Sequence, residues 1–129
     1  MLRLLFPLVA LAVSLTFLSP VATAAEDASA KDKCIKACND CLRACRECII
    51  GCDCPECEKT CLVCIETCRA CVAIMEYDSP LMKDMCGLCA KACDECAAAC
   101  RKCGDTPCCQ KCAAACEACQ ETCRAIAEK

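Results

Sequence analysis

Residues 34–52 read CIKACNDCLRACRECIIGC, which places cysteine at 34, 38, 41, 45, 48 and 52. The steps alternate four and three. Residues with that spacing fall on one stripe of an α-helix, so the six thiols share a face. Outward from this stretch the same rhythm returns three times. Cys54, Cys57, Cys61, Cys64, Cys68 and Cys71 form a second run, and Cys86, Cys89, Cys93, Cys96, Cys100 and Cys103 a third. The fourth is Cys109, Cys112, Cys116, Cys119 and Cys123, with Cys108 added at its start. Four runs predict four helices, over about 30–52, 55–77, 80–103 and 107–127.

The punctuation agrees with the period. Ser79-Pro80 and Thr106-Pro107 each set a capping residue before a proline at the first helical position, and Asp53-Cys54-Pro55 does similar work for the second helix. Gly51 and Gly104 stand where helices one and three must stop. Connections at 52–54 and 104–106 are short, which makes neighbouring helices antiparallel. The expected fold is all-α, an antiparallel up-down four-helix bundle with a cysteine-lined core. It is built as two hairpins joined by Tyr77-Asp78-Ser79.

In helix one, Ile35, Leu42 and Ile49 flank the seam on one side and Ala37, Ala44 and Gly51 on the other. Lys36, Asn39, Asp40, Arg43, Arg46 and Glu47 face outward. Helices three and four flank it mostly with alanine (Ala90, Ala92, Ala97, Ala99, Ala113, Ala115), so backbones approach closely. Helix four has a single large aliphatic residue, Ile126. Sulfur is therefore the core.

Composition bounds the rest. The chain has 129 residues, 24 cysteines, no histidine, no tryptophan, one tyrosine and a net charge of −3. That length suits one small domain, and the charge offers no basic patch, which excludes nucleic acid as a partner. Residues 1–25 read as a secretory signal peptide and 26–129 as the cysteine-rich bundle. Arg3 is a short positive n-region, Leu4 to Leu18 is apolar, and Ser19-Pro20 is expected to break the helix. Ala22-Thr23-Ala24 supplies small residues for cleavage. The apolar run is shorter than the ~20 residues a membrane span needs, so no membrane association is expected once the signal is removed. Without a twin arginine, export of the unfolded chain is expected by a Sec-type route, to the periplasm or the extracellular space. Free thiols tend to oxidise there.

Three uses of such a core compete. Cysteine serves as a small buried hydrophobe in many proteins, but leucine packs better at every seam position. A disulfide framework, or a thiol-redox protein, is the second reading. Each thiol has neighbours at i±3 and i±4, so pairing would be degenerate and many bridges strained. Cys108-Cys109 and Cys54-Pro55-Glu56-Cys57 are the first places to look for redox chemistry. The third reading is metal. Thiolates favour Cu(I), zinc and iron–sulfur clusters, and the spacing does not match ferredoxin cluster runs. Six zinc ions held by four thiolates each would leave a buried charge of roughly −12, which is prohibitive. Cu(I) bridged by thiolates at one to one leaves a neutral interior, with a capacity on the order of 20 ions per chain. All 24 cysteines are candidate ligands. No catalytic base, acid or substrate pocket is visible, so no enzymatic role is expected. A metallochaperone usually needs one or two exchangeable ions on an exposed loop, whereas this pattern buries dozens of ligands.

The repeated Cys-x3-Cys-x2-Cys-x3-Cys, as in Cys34–Cys45 and Cys89–Cys100, resembles the bacterial four-helix-bundle copper storage proteins over residues 30–127. The resemblance implies multiple Cu(I) ions held by interior cysteines, and assembly as a homo-oligomer, often a tetramer. It also implies first ligand pairs within single helices: Cys34/Cys38, Cys41/Cys45, Cys57/Cys61, Cys64/Cys68, Cys89/Cys93, Cys96/Cys100, Cys112/Cys116 and Cys119/Cys123. This chain departs from the family in a higher cysteine count than exported members and in lacking the histidine that lines the metal entrance in some.

An entry route has its own signal. The seam of helix two continues past Cys71 to Met75. That of helix three begins with Met82 before Cys86, with Met85 alongside, and Lys31 and Ile126 share that end. Soft thioethers there suit a weakly binding mouth for Cu(I); the alternative is that flexible methionine plugs a bundle end.

Overall fold

The computed structural model describes residues 20–129. The n-region and apolar run of the expected leader lie outside the described residues. Four helices follow in order: α1 Pro20–Gly51, α2 Pro55–Glu76, α3 Met82–Lys102 and α4 Pro107–Ala127. No strand occurs among the described residues. α1 packs on α2 and α4, and α3 packs on the same two, so the helices form a ring in chain order. Cys34 near the start of the α1 seam lies level with Cys71 late in α2, Cys86 early in α3 and Cys123 late in α4. Neighbours are thus antiparallel, as the short connections require.

Most boundaries fall where the punctuation places them. α1 ends on Gly51, and α2 and α4 open on Pro55 and Pro107 after the extended residues Cys54 and Thr106. Gly104, at φ 114, turns the chain out of α3 through the left-handed region that glycine tolerates. Thr106 occupies the cap position without a side-chain capping bond; its hydroxyl accepts the Cys108 thiol at 3.6 Å instead.

Two expectations are corrected. α3 starts at Met82, not at Pro80. Asp78 sits at φ 49, and Ser79-Pro80-Leu81 forms a turn before the helix. The Ser79 hydroxyl accepts the Leu81 N–H at 3.3 Å and its carbonyl accepts the Met82 N–H at 3.1 Å. Serine here folds the chain locally rather than capping a helix. The second correction concerns α1, which is helical already from Pro20, the first described residue, and not only from near 30. The alanine-rich segment after Pro20 has high helix propensity. Ala22-Thr23-Ala24 therefore lies within a helix, exposed along residues 21–29.

The interior is almost entirely sulfur and methyl. Every cysteine except Cys52, Cys54, Cys103 and Cys108 is buried, and the remaining core is alanine with Ile65, Met75 and Ile126. No polar or charged residue is buried among the described residues. Ile35, Leu42 and Ile49 are half-buried against this core. Ion pairs of Glu47 with Lys111 and of Arg101 with Glu117 join α1 to α4 and α3 to α4. Both are solvent-exposed, where such pairs contribute little.

Candidate metal centre

Each helix carries its thiols inward at alternating steps of three and four. On antiparallel neighbours these steps keep pace, because residue numbers fall along α4 as they rise along α1. The outcome is a stack of four-thiol sets. Cys34, Cys71, Cys86 and Cys123, one from each helix, have sulfurs that all lie within 4.8 Å of one another. The next set keeps Cys71 and Cys123 and adds Cys38 and Cys89; the third keeps those two and adds Cys68 and Cys119. Cys41, Cys68, Cys93 and Cys119 follow, then Cys41, Cys45, Cys64 and Cys116. Successive sets share members, so the sulfurs form one continuous ladder.

Individual contacts show how dense it is. The sulfur of Cys41 lies 3.5 Å from Cys116, 3.6 Å from Cys64 and 4.0 Å from Cys93, touching all three other helices. Diagonal helices do not pack backbone to backbone, yet their sulfurs meet: Cys45 with Cys96 at 3.9 Å, and Cys61 with Cys112 at 3.8 Å. All 24 cysteines are free thiols.

The short sulfur–sulfur hydrogen bonds run mainly between helices, such as Cys34 to Cys123 at 3.4 Å and Cys45 to Cys112 at 3.6 Å. Within one helix, Cys119 and Cys123 are 3.9 Å apart. The ligand pairs that the family resemblance implies lie within single helices, whereas the closest sulfur contacts here lie across helices. The signal was present in the antiparallel register, where a position early on one helix faces one late on the next.

A soft, polarisable interior presents weak S–H donors to weak sulfur acceptors. Protons are consequently shared unevenly. Burial pushes the Cys57 thiol up to about 12 and raises that of Cys48. Hydrogen bonds from neighbouring thiols, Cys119 first, hold Cys38 down at about 7, and Cys116 leads in holding Cys64 at about 7. Neighbouring thiols thus hold some protons more tightly and loosen others. Such a site exchanges protons for a soft cation.

The two ends of the ladder differ. At the α2–α3 end Met75 is wholly buried, while Met82 and Met85 are half-buried against the core. Of the three, Met82 lines a surface cavity, together with Ala24, Asp27, Lys31, Asp78 and Ile126. Lys31 pairs with Asp78 at 2.6 Å over this opening. At the other end Cys52, Cys54, Cys103 and Cys108 are half-buried, and Cys109 continues the ladder with Cys48 at 4.0 Å.

The model of the copper storage protein family, Csp, matches residues 27–128. Apo-Csp3, copper storage protein 3 from Bacillus subtilis, is 41% identical, with a TM-score of 0.72 over 74% of this chain and 97% of that one. The Cu(I)-bound copper storage protein BsCsp3 is 38% identical, with a TM-score of 0.71 over 76% of this chain and 98% of that one. No curated protein is detectably similar to this chain.

Proposed function

We propose a function from one premise: this chain belongs to the copper storage protein family. It stores Cu(I) in quantity, held by the cysteine thiolates of its core. The observation that carries this reading is the ladder itself, in which four-thiol sets share members without a break. Shared sulfurs suit bridging thiolates, and bridging at one thiolate per copper leaves a neutral interior. Zinc in the same sets would leave a large buried charge. All 24 cysteines are assigned as ligands, those of the half-buried rim included. Capacity is on the order of 20 ions per chain. Storage needs no catalytic step, and none is assigned.

Loading proceeds as soft-acid capture: Cu(I) enters, displaces thiol protons and is passed along overlapping sets. Met82, facing the cavity, with Met85 and the sealed Met75 behind it, forms a weakly binding mouth. Residues 1–25 act as a leader that sends the chain out of the cytoplasm; the family match beginning at residue 27 supports that boundary. No helix among the described residues is long and apolar enough to cross a membrane. Exposed Ile50, Leu62, Val63 and Leu88 provide apolar surface for self-association into a homo-oligomer. Titrating the reduced protein with Cu(I) against a competing chelator tests the assignment. Uptake of many equivalents supports storage, whereas saturation at one or two indicates delivery, and failure to compete returns the chain to thiol-redox chemistry.

A further inference from the structure

The end of the bundle carrying the α1–α2 and α3–α4 connections holds sulfurs unlike those of the interior. Cys52 lies in the connection between α1 and α2, Cys103 caps α3 and Cys109 sits in the first turn of α4. The sulfur of Cys52 is 3.1 Å from that of Cys109 and 3.3 Å from that of Cys103. Cys108, next in sequence to Cys109, is turned to the Thr106 hydroxyl at 3.6 Å. Cys109 is thereby the nearest partner that Cys52 has.

Access sets Cys52 and Cys103 apart, both half-buried, whereas Cys109 is buried and is reached through Cys52. Cys41, Cys64, Cys93 and Cys116 are fully buried, carried mid-helix, and their contacts stand at 3.5 to 4.0 Å. A disulfide requires about 2.05 Å and a narrow torsional range. Whole helices would have to shift to bring interior sulfurs that close. Cys52 has already left its helix, is half-buried, and has only to turn inward.

We propose that Cys52 and Cys109, at the rim end of the ladder, are a thiol–disulfide exchange site for small-molecule disulfides. The Cys52 thiol gives up its proton, and its sulfur attacks one sulfur of the reagent RSSR. A mixed disulfide forms on Cys52, and the departing RS⁻ takes up that proton. Cys109, likewise deprotonated, then attacks the Cys52 sulfur, forms the Cys52–Cys109 bond and releases the second RSH. The protein gives two electrons and two protons, and one RSSR becomes two RSH. Oxidised, the bond ties α1 to α4 and withdraws two sulfurs beside Cys48; reduced, the end is open. The exchange is tested on reduced, metal-free chain, so its outcome does not depend on copper binding.

The experiment exposes reduced, metal-free full chain to oxidised glutathione, quenches with iodoacetamide at intervals and maps cross-links by peptide mass spectrometry. The first cross-link is expected to join Cys52 to Cys109. Interior thiols should oxidise at least about tenfold more slowly, since reactivity follows exposure. Cys103→Ser should keep the cross-link and Cys52→Ser should lose it. Wild-type mapping alone decides the matter should a variant misfold. A first bond between Cys52 and Cys103, oxidation scattered through the interior, or no cross-link in the folded chain would each overturn the proposal.

Discussion

The thiol of Cys119 on α4 donates to the sulfur of Cys38 on α1 at 3.5 Å, and the same two residues belong to one four-thiol set with Cys68 and Cys89. One contact between helices at opposite ends of the chain thus serves both folding and the site. Removing copper leaves a network of weak hydrogen bonds in place of a hydrocarbon core, and the behaviour of the protein should follow from that.

Stability should depend steeply on copper. Helix four buries Ile126, Ala113 and five cysteines, so the metal-free bundle has little hydrocarbon to bury. Binding to the native state alone stabilises by about 4 kcal/mol for a site at a thousandfold excess over Kd, which corresponds to at least about 15 °C in a domain this size. Thermal melts of reduced protein with and without Cu(I) should differ by that much or more. Equal melting temperatures would contradict it.

Loading should release acid. The thiol pushed up to about 12 at Cys57 is protonated at neutral pH, and copper must displace such protons. Apparent affinity should rise about tenfold per pH unit for each proton released. At Cys57 the folded state favours the neutral form, so that contribution is complete below the ordinary value of 9.0 and is lost as pH climbs towards 12, while the lowered thiols of Cys38 and Cys64 act in the opposite sense. A pH-stat titration reads the release of acid, and acid-free loading would count against the scheme.

Cys41→Ser isolates one rung. The sulfur touches partners on all three other helices, and serine keeps a donor of similar size while removing the soft ligand. The metal-free fold should lose about 1 kcal/mol, and copper capacity should fall by about one to two equivalents. Circular dichroism with copper titration checks both numbers. Lys59→Ser, on the solvent face of α2, is the control expected to leave capacity unchanged.

Met82→Leu tests the mouth. Met82 lines the end cavity, whereas Met75 is sealed behind it. Stopped-flow uptake of Cu(I) should slow several-fold in Met82→Leu, and further in the triple variant with Met75→Leu and Met85→Leu, at unchanged final capacity. Wild-type rates in the triple variant would leave the methionines as a plug.

The period of the cysteines made the four helices readable, because nothing else recurs at steps of three and four so persistently. Proline and glycine then placed most ends. One boundary was misread for a reason of local chemistry: Ser79 spends its hydroxyl on a turn. The cysteine seam was legible, yet the burial of Ile65 and the partners of each sulfur across helices were not. Cys34 with Cys123, or Cys41 with Cys116, requires the register between antiparallel helices, which a single run does not contain. That Cys52 and Cys103 are only half-buried is a fact of the structure, where both sit just past the ends of their helices.

The central claim is that the interior sulfurs themselves hold the copper, and a crystal of the Cu(I)-loaded chain measured at the copper absorption edge tests it most directly. Anomalous peaks should trace the bundle axis from the Cys34 level to the Cys109 level, on the order of 20 per chain, each beside two or more cysteine sulfurs. One or two peaks at the ends, with protonated thiols between them, would contradict the account.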